Sequence, residues 1–112
     1  MTATPAQLIA PLFLPASATL LYASPAGTTT QIDKATLANG SAAPRRVSFS
    51  LVLLPNAPDA QALLVPRRTV FAGQTLDLPD LAGIEMPPGW GLFGLCDLAD
   101  AVVIGMWGTR FT

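Results

Sequence analysis

A chain of 112 residues has enough material for one domain but not for two hydrophobic cores, so a single domain with short arms is expected. Only 12% of its residues are charged, and the net charge of −1 excludes the strongly basic surface typical of nucleic-acid-binding proteins. Because 51% of the residues are hydrophobic, we expect apolar surface to be buried against other subunits, with an unusually apolar monomer as the alternative. Prolines interrupt every apolar run well before the roughly 18–20 residues of a membrane span, so no span is predicted.

The N-terminal segment is rich in proline. Three prolines in the first fifteen residues surround the apolar groups Leu8-Ile9 and Leu12–Leu14, and proline cannot donate to a sheet ladder. Residues 1–17 are therefore predicted to be an extended arm and residues 18–112 a β-sandwich domain. The arm either crosses its own sandwich or lies on an adjacent subunit by strand addition, and the adjacent subunit is favoured. The segment lacks the basic start of a signal peptide, so secretion is not expected.

The first strand of the domain is predicted over residues 19–23, followed by a Pro-Gly turn over residues 24–27 and a threonine-rich strand that ends at Asn39-Gly40. Within this second strand, Ile32 has the opposite parity to Ala35 and Leu37. A one-residue bulge near Asp33-Lys34 returns all three to the same face, so a bulge is predicted there.

The next strand shows strict alternation. Apolar residues at positions 47, 49, 51 and 53 alternate with Ser48 and Ser50, which predicts a sheet with one buried and one wet face. Val52 and Leu54 end the alternation, because both faces are then apolar. We expect this end of the strand to be covered, either by the arm or by a partner.

The remaining predicted elements are a loop over residues 55–59, strands over residues 61–71 and 74–78, an irregular connection over residues 79–91, and strands over residues 92–96 and 101–111. A short helix over residues 57–64 is the alternative for part of this region. The whole pattern predicts an all-β fold, an antiparallel β-sandwich of about seven to eight strands that is either immunoglobulin-like or jelly-roll-like.

Candidate chemistry is sparse in the sequence. The absence of histidine excludes hydrolases of the Ser-His-Asp kind and removes the commonest metal ligand. Cys96 stands alone in an apolar strand and is interpreted as core, and the acidic pair Asp97 and Asp100 is interpreted as capping a hairpin turn. The glycine-rich residues 89–94 lack the Lys-Ser/Thr ending of a phosphate loop. We therefore predict no enzyme activity and no catalytic, metal-binding or cofactor-binding residues.

Aromatic and basic side chains are the better candidates for contacts with partners. Trp107 shares its strand face with Val103, which favours a core or interface anchor, whereas Trp90 follows a Pro-Pro-Gly loop and is either an interface anchor or a platform for a sugar ring. The arginine pair in the strand over residues 61–71 either meets acidic groups of a neighbour or is solvated. The predicted partner-contact residues are Leu8, Ile9, Leu12, Phe13, Leu14, Arg67, Arg68 and Trp90.

One family resemblance covers most of the domain. It rests on Leu21-Tyr22, residues 25–29, Asn39, the strand over residues 47–54, residues 72–75, Leu78-Pro79 and residues 81–83. These positions resemble those of small β-rich virion proteins of tailed phages, prophages and phage-derived gene transfer agents. The chain departs from the pattern in its proline-rich N-terminus and in residues 86–90, where relatives usually have a single Pro-Gly turn.

The resemblance implies a non-enzymatic structural subunit of a particle assembled in the bacterial cytoplasm. Such a subunit forms a homo-oligomer on the head, as a capsid decoration protein or the base of a head spike or fibre, and contacts capsid or spike subunits. A carbohydrate-binding or adhesion module that uses exposed aromatic residues is the first alternative. A tail or neck component is the second.

Overall fold

The computed structural model describes residues 2–59 and 62–112, which form nine β-strands. The strands are β1 (Ala3–Phe13), β2 (Thr19–Ala23), β3 (Thr29–Asn39), β4 (Arg45–Leu53), β5 (Leu63–Val70), β6 (Thr75–Asp77), β7 (Glu85–Met86), β8 (Trp90–Cys96) and β9 (Val102–Phe111). In the described part of the chain, no helix is long and apolar enough to span a bilayer.

The strands form two antiparallel sheets. Sheet 1 has the order β1-β9-β3-β6, and the two-residue β7 also pairs with β3. Sheet 2 has the order β2-β8-β4-β5. The buried apolar side chains of both sheets form one cluster, which is consistent with the predicted β-sandwich. The all-β prediction is therefore confirmed.

The chain has the surface of a compact monomer. Its accessible surface is 5750 Å², close to the roughly 5,800 Å² that size scaling gives for a folded protein of this mass. Its principal dimensions are 45 × 27 × 19 Å.

The N-terminal segment differs from the expected arm. β1 pairs with β9 from Ala3↔Phe111 to Phe13↔Val103 at the edge of sheet 1, with register irregularities on either side of Ile9. Leu8, Ile9 and Leu14 are buried in the core. An edge strand tolerates proline because it needs backbone N–H donors on one side only. The segment thus lies in the sheet of its own chain, which was the less favoured of the two predicted placements.

The predicted bulge in β3 is confirmed. The pairing of β3 with β9 shifts register between Ile32 and Lys34, and Ile32, Ala35 and Leu37 are all buried. Gly108 pairs with Ile32 at this point. A Cβ atom on Gly108 would collide with the backbone carbonyl oxygen of Gln31, so the close approach of the two strands requires glycine there.

The alternation predicted for β4 is confirmed in its first part only. Val47 and Phe49 are fully buried, but Leu53 is 45% exposed at the end of the strand. On the opposite face, Ser50 is only 9% exposed, so the prediction of a wet face was wrong at this position. Val52 is 4% exposed, which agrees with the expectation that this end of the strand is covered. The side chains of Leu20 and Leu54 lie over Gly91, which pairs with Val52, and provide cover at this end of the strand.

The region after β4 follows the expectation in part. β5 begins at Leu63 and ends at Val70, and the helix considered for residues 57–64 falls partly outside the described residues. β7 lies in the connection over residues 79–91, where no strand was predicted. β8 begins at Trp90, so this tryptophan opens a strand and is not in the preceding loop.

Candidate interaction surfaces

The described residues contain no group of three or more histidine, cysteine or acidic side chains that is able to hold a metal ion. Cys96 is fully buried, and this burial raises the pKa of its thiol above the ordinary value. Its Sγ lies 3.6 Å from Oδ1 of Asp97, a carboxylate that also disfavours the thiolate. A protonated, inaccessible thiol is a poor nucleophile, so surfaces are the better candidates for function.

The outer side of sheet 1 carries a mixed surface. The pairing places Val103 beside Phe13, and Trp107 between Gln7 and Lys34. Trp107 is 39% exposed and Phe13 is 52% exposed. This exposure excludes a position of Trp107 in the core. A role of Trp107 as an interface anchor stays a prediction. We call these five residues, together with Asp77, the sheet-1 face. Lys34 and Asp77 lie 4.0 Å apart and keep this face partly charged.

The indole of Trp107 lies over Gly105. A Cβ atom built on Gly105 would be 3.0 Å from the Trp107 ring. Because Gly105 has no side chain, the indole ring of Trp107 packs flat against the strand. This contact explains why a tryptophan on the outer side of a sheet is still partly covered.

The outer side of sheet 2 carries a mainly apolar row, and the exposed Arg46 lies on the same side by its parity with Ser48 and Ser50 in β4. One row crosses all four strands through the pairs Leu20↔Phe93, Phe93↔Ser50 and Ser50↔Leu63. The sheet-2 face is defined as Leu20, Ser48, Ser50, Val52, Leu63, Phe93 and Leu95. Phe93 and Leu95 point outward because Gly94 between them faces the core, where a Cβ atom would meet the side chains of Leu21 and Phe49.

Side chains of the same sheet cover part of the sheet-2 face. A Cβ atom on Gly91 would meet the side chains of Leu20 and Leu54, which therefore lie over this glycine. Gly91 pairs with Val52. The predicted cover for the end of β4 thus comes from neighbouring leucines and not from the N-terminal segment. Ser48 is also satisfied within the chain, because its Oγ accepts a hydrogen bond of 3.0 Å from the backbone N–H of Arg67.

Trp90 lies at an open cleft of about 650 Å³ at the C-terminal end of β4. Leu51, Val52 and Leu53 supply an apolar wall, and Asn56 and Asp59 supply polar groups. Trp90 itself is half-buried and packs against the core. An aromatic ring next to amide and carboxylate oxygens is a combination that suits a sugar ring.

The five predicted contact residues of the N-terminal segment fall into two groups. Leu8, Ile9 and Leu14 are core residues of the folded chain and are not available to a partner. Leu12 and Phe13 are exposed at 38% and 52%. The structure therefore brings only part of the predicted N-terminal contact surface to the outside.

The two arginines lie together on edge strand β5, and Trp90 lies apart from them at the cleft. Arg68 reaches Asp80 over 3.7 Å, an exposed pair within the chain. Arg67 has a backbone φ of 45°, which is unusual for a residue with a side chain and accompanies the irregular pairing of β5 with β4. Both side chains are exposed at the edge of sheet 2.

Buried polar links between the sheets are a feature that sequence patterns did not indicate. The phenol oxygen of Tyr22 in β2 lies 3.1 Å from Oγ1 of Thr30 in β3 and accepts a hydrogen bond from Nε of Arg110 in β9. Ser24 extends the link through a 3.0 Å contact with Thr30. In the described part of the chain, every buried side-chain nitrogen and oxygen has a hydrogen-bond partner. These buried hydrogen bonds therefore connect the two sheets of the sandwich.

No family model, curated protein or solved structure matches the chain. The resemblance to virion proteins thus stays a prediction from the sequence.

Proposed function

We propose that this chain is a non-enzymatic structural subunit of a phage or phage-like particle. It forms a homo-oligomer on the head, as a capsid decoration protein or as the base of a head spike or fibre, after assembly in the bacterial cytoplasm. The observation that carries the proposal is the amount of apolar surface on a well-packed domain. The exposed large apolar side chains are Leu12, Phe13, Leu20, Leu53, Leu63, Leu64, Phe71, Leu98 and Trp107.

The arrangement of strands supports this proposal. Successive strands mostly alternate between the sheets, and the orders β1-β9-β3-β6 and β2-β8-β4-β5 are those of two interleaved Greek keys. We propose that the sandwich is of the jelly-roll-like rather than the immunoglobulin-like kind. Jelly rolls occur in viral capsid proteins and in lectins. Because a fold alone does not define a function, this similarity adds to the argument from surface and does not replace it.

Two separate apolar surfaces suit a subunit that has more than one kind of neighbour. Leu12 and Phe13 lie at the edge of sheet 1, opposite Ile104 and Val103 respectively, whereas the sheet-2 face lies on the other sheet. We propose that the N-terminal edge contacts other virion proteins, such as capsid or spike subunits. The exposed arginine pair on β5 provides charged contacts at the rim.

The test is attachment to particles. The double variant Leu12→Ala, Phe13→Ala is compared with the wild-type chain for co-sedimentation with purified particles that lack it. We expect the variant to keep the folded spectrum and lose attachment, with Leu98→Ala, an exposed leucine in the β8–β9 loop, as the matched control. Electron microscopy of the bound chain then locates it: density on the head supports the proposal, and density on the tail or neck favours the tail-component alternative.

The cleft at Trp90 favours a second candidate, a carbohydrate-binding or adhesion module. The cleft places Asn56 and Asp59 near the indole of Trp90. A glycan array separates the two functions. Binding that is lost in Trp90→Ala and kept in Trp107→Ala supports the sugar site, and the absence of binding by the wild-type chain contradicts it.

A further inference from the structure

The pair Asn39-Gly40 at the end of β3 is chemically reactive in an unfolded chain. A backbone nitrogen that follows an asparagine is able to attack the Cγ atom of that side chain and expel ammonia. Glycine has no Cβ atom to obstruct this approach, so Asn-Gly pairs react fastest. The chain has one other asparagine, Asn56, which is followed by Ala57. The sequence therefore contains a single highly reactive pair.

The reaction needs only water as a co-reactant. The N–H proton of Gly40 passes to hydroxide, a bond forms between the Gly40 nitrogen and Cγ of Asn39, and the bond from Cγ to Nδ2 breaks. Nδ2 takes a proton from water and leaves as ammonia, and a cyclic succinimide remains. Water then opens the ring at either carbonyl. The products are aspartate or isoaspartate in place of Asn39, and the backbone of isoaspartate contains an additional carbon atom.

The folded chain holds both reacting groups in place. The backbone N–H of Gly40, which would be the nucleophile, donates a hydrogen bond of 3.2 Å to the carbonyl of Ala101. Both hydrogens of Asn39 Nδ2 are donated to backbone carbonyls, and Oδ1 accepts two hydrogen bonds from Ser41. The backbone of Asn39 is also hydrogen-bonded to the β5–β6 turn, and the residue is only 2% exposed. Attack on Cγ therefore requires this end of the sandwich to open first.

The products do not fit the folded chain. In the aspartate product, one carboxylate oxygen takes the place of Nδ2, which lies 2.8 Å from the carbonyl oxygen of Val70 and 2.9 Å from that of Ala43. An acceptor then faces two acceptors at a buried position, and a buried charge without donors is costly. Isoaspartate lengthens the backbone at the end of β3 and displaces Gly40 from its bond to Ala101. Both products therefore oppose refolding.

We propose that Asn39-Gly40 is a self-modification site that the native fold suppresses, and that its reaction in the unfolded chain yields a form that does not regain the native fold. The unfolded chain thus has a limited time in which it is still able to refold. This inference does not depend on the proposed function, because it rests only on the chemistry of the pair and on the hydrogen bonds around it.

The first test compares reaction rates in the folded and unfolded chain. Wild-type protein is kept with a reducing agent in mildly alkaline buffer, with and without guanidinium chloride, and samples are digested at low pH for mass spectrometry. We expect conversion at Asn39 to be at least about 100-fold faster in the unfolded chain, because conversion in the folded chain waits for local opening. Asn56 is exposed in the folded chain and is the internal control, with slow conversion at similar rates in both conditions. Equal rates at Asn39 in the two states overturn the inference.

The second test measures refolding. Unfolded samples aged for increasing times are diluted out of denaturant, and tryptophan fluorescence gives the fraction that regains the native state. We expect this fraction to fall in step with the loss of intact Asn39. Gly40→Ala is the matched variant: its methyl group meets no atom within 4 Å in the folded chain but obstructs the attacking nitrogen, so it should stay able to refold for longer. Full refolding of chains converted at Asn39, or an equally fast loss of refolding in Gly40→Ala, overturns the inference.

Discussion

Asn39 in sheet 1 donates a hydrogen bond of 2.8 Å from its side-chain Nδ2 to the backbone carbonyl oxygen of Val70 in sheet 2. The same nitrogen donates to the carbonyl of Ala43 over 2.9 Å, and Oδ1 accepts from the backbone N–H and the hydroxyl of Ser41. One buried side chain thus joins the β3–β4 turn to the end of β5. Its hydrogen bonds therefore hold the ends of the two sheets together.

Replacement of this side chain is expected to be costly. Asn39→Ala removes the donor to the buried carbonyl oxygen of Val70, while Ala43 keeps the Ser41 hydroxyl as a donor over 3.0 Å. The free energy of unfolding should fall by about 1–3 kcal/mol. Urea denaturation followed by tryptophan fluorescence measures the change. Thr36→Ala is the control, because it removes only an exposed hydrogen bond of 3.2 Å to Asp77 and should cost less than about 0.5 kcal/mol. Equal effects of the two variants would contradict this role.

Gly108→Ala should be among the most damaging single substitutions. The added methyl group would occupy the place of the Gln31 carbonyl oxygen at the β3 bulge, and backbone cannot move aside as a flexible side chain can. We expect a loss of more than about 3 kcal/mol or an insoluble product. Gly40→Ala, where nothing lies within 4 Å of the added atom, should change thermal stability little. A soluble Gly108→Ala protein with wild-type melting would show that the two strands are further apart.

The polar link at the other end of the sandwich predicts coupling between Tyr22 and Arg110. Tyr22→Phe removes the acceptor of the 3.1 Å hydrogen bond from Nε of Arg110 and the partner of Thr30. A loss of about 1–2 kcal/mol is expected. A double-mutant cycle with Arg110→Met measures the pairwise term in denaturant titrations. Additive effects would mean that the guanidinium and the phenol do not interact in solution.

Deletion of residues 2–13 should unfold the domain instead of releasing a stable core. The deletion removes the whole of β1, including buried Leu8 and Ile9, each worth about 1.5–3 kcal/mol of burial, and exposes the edge of β9. Circular dichroism and solubility measure the result. Deletion of residues 2–5, which are exposed, is the control and should leave a cooperative melt. A folded, soluble protein without residues 2–13 would restore the interpretation of this segment as a detachable arm.

The buried thiol predicts a dependence of stability on alkaline pH. Burial raises the pKa of Cys96 in the folded chain above the ordinary value of 9.0, so the unfolded chain loses its proton first. The free energy of unfolding should therefore fall as the pH rises above about 9. At lower pH the thiol is protonated in both states and should not change the free energy of unfolding. Denaturation curves of the wild-type chain and Cys96→Val, measured across this range, isolate the contribution. A wild-type slope equal to that of Cys96→Val would contradict it.

Local patterns were sufficient for much of the fold. The bounds of β2 and the bulge between Ile32 and Lys34 follow from turn residues and from parity, which depend only on neighbouring positions. The all-β class follows from many short runs separated by proline and glycine. The interpretation of Cys96 as a core residue is also confirmed by its burial.

The features that were missed depend on distant residues. The spacing of prolines indicates that the N-terminal segment is an edge strand. It does not show whether this strand belongs to the sheet of its own chain or to the sheet of a neighbouring subunit. The serines of β4 predicted a wet face, yet that face is lined by Leu20, Phe93 and Leu63 from three other strands. The bond between Tyr22 and Arg110 joins residues 88 positions apart, and no local spacing encodes it.

The most direct test of the account is quantification of this chain by mass spectrometry in gradient-purified particles from cells that produce it. The account predicts a constant ratio of the chain to the major shell protein across independent preparations, because a structural subunit occupies a fixed number of positions. A chain that is abundant in the cell extract and absent from intact particles would contradict the proposed function.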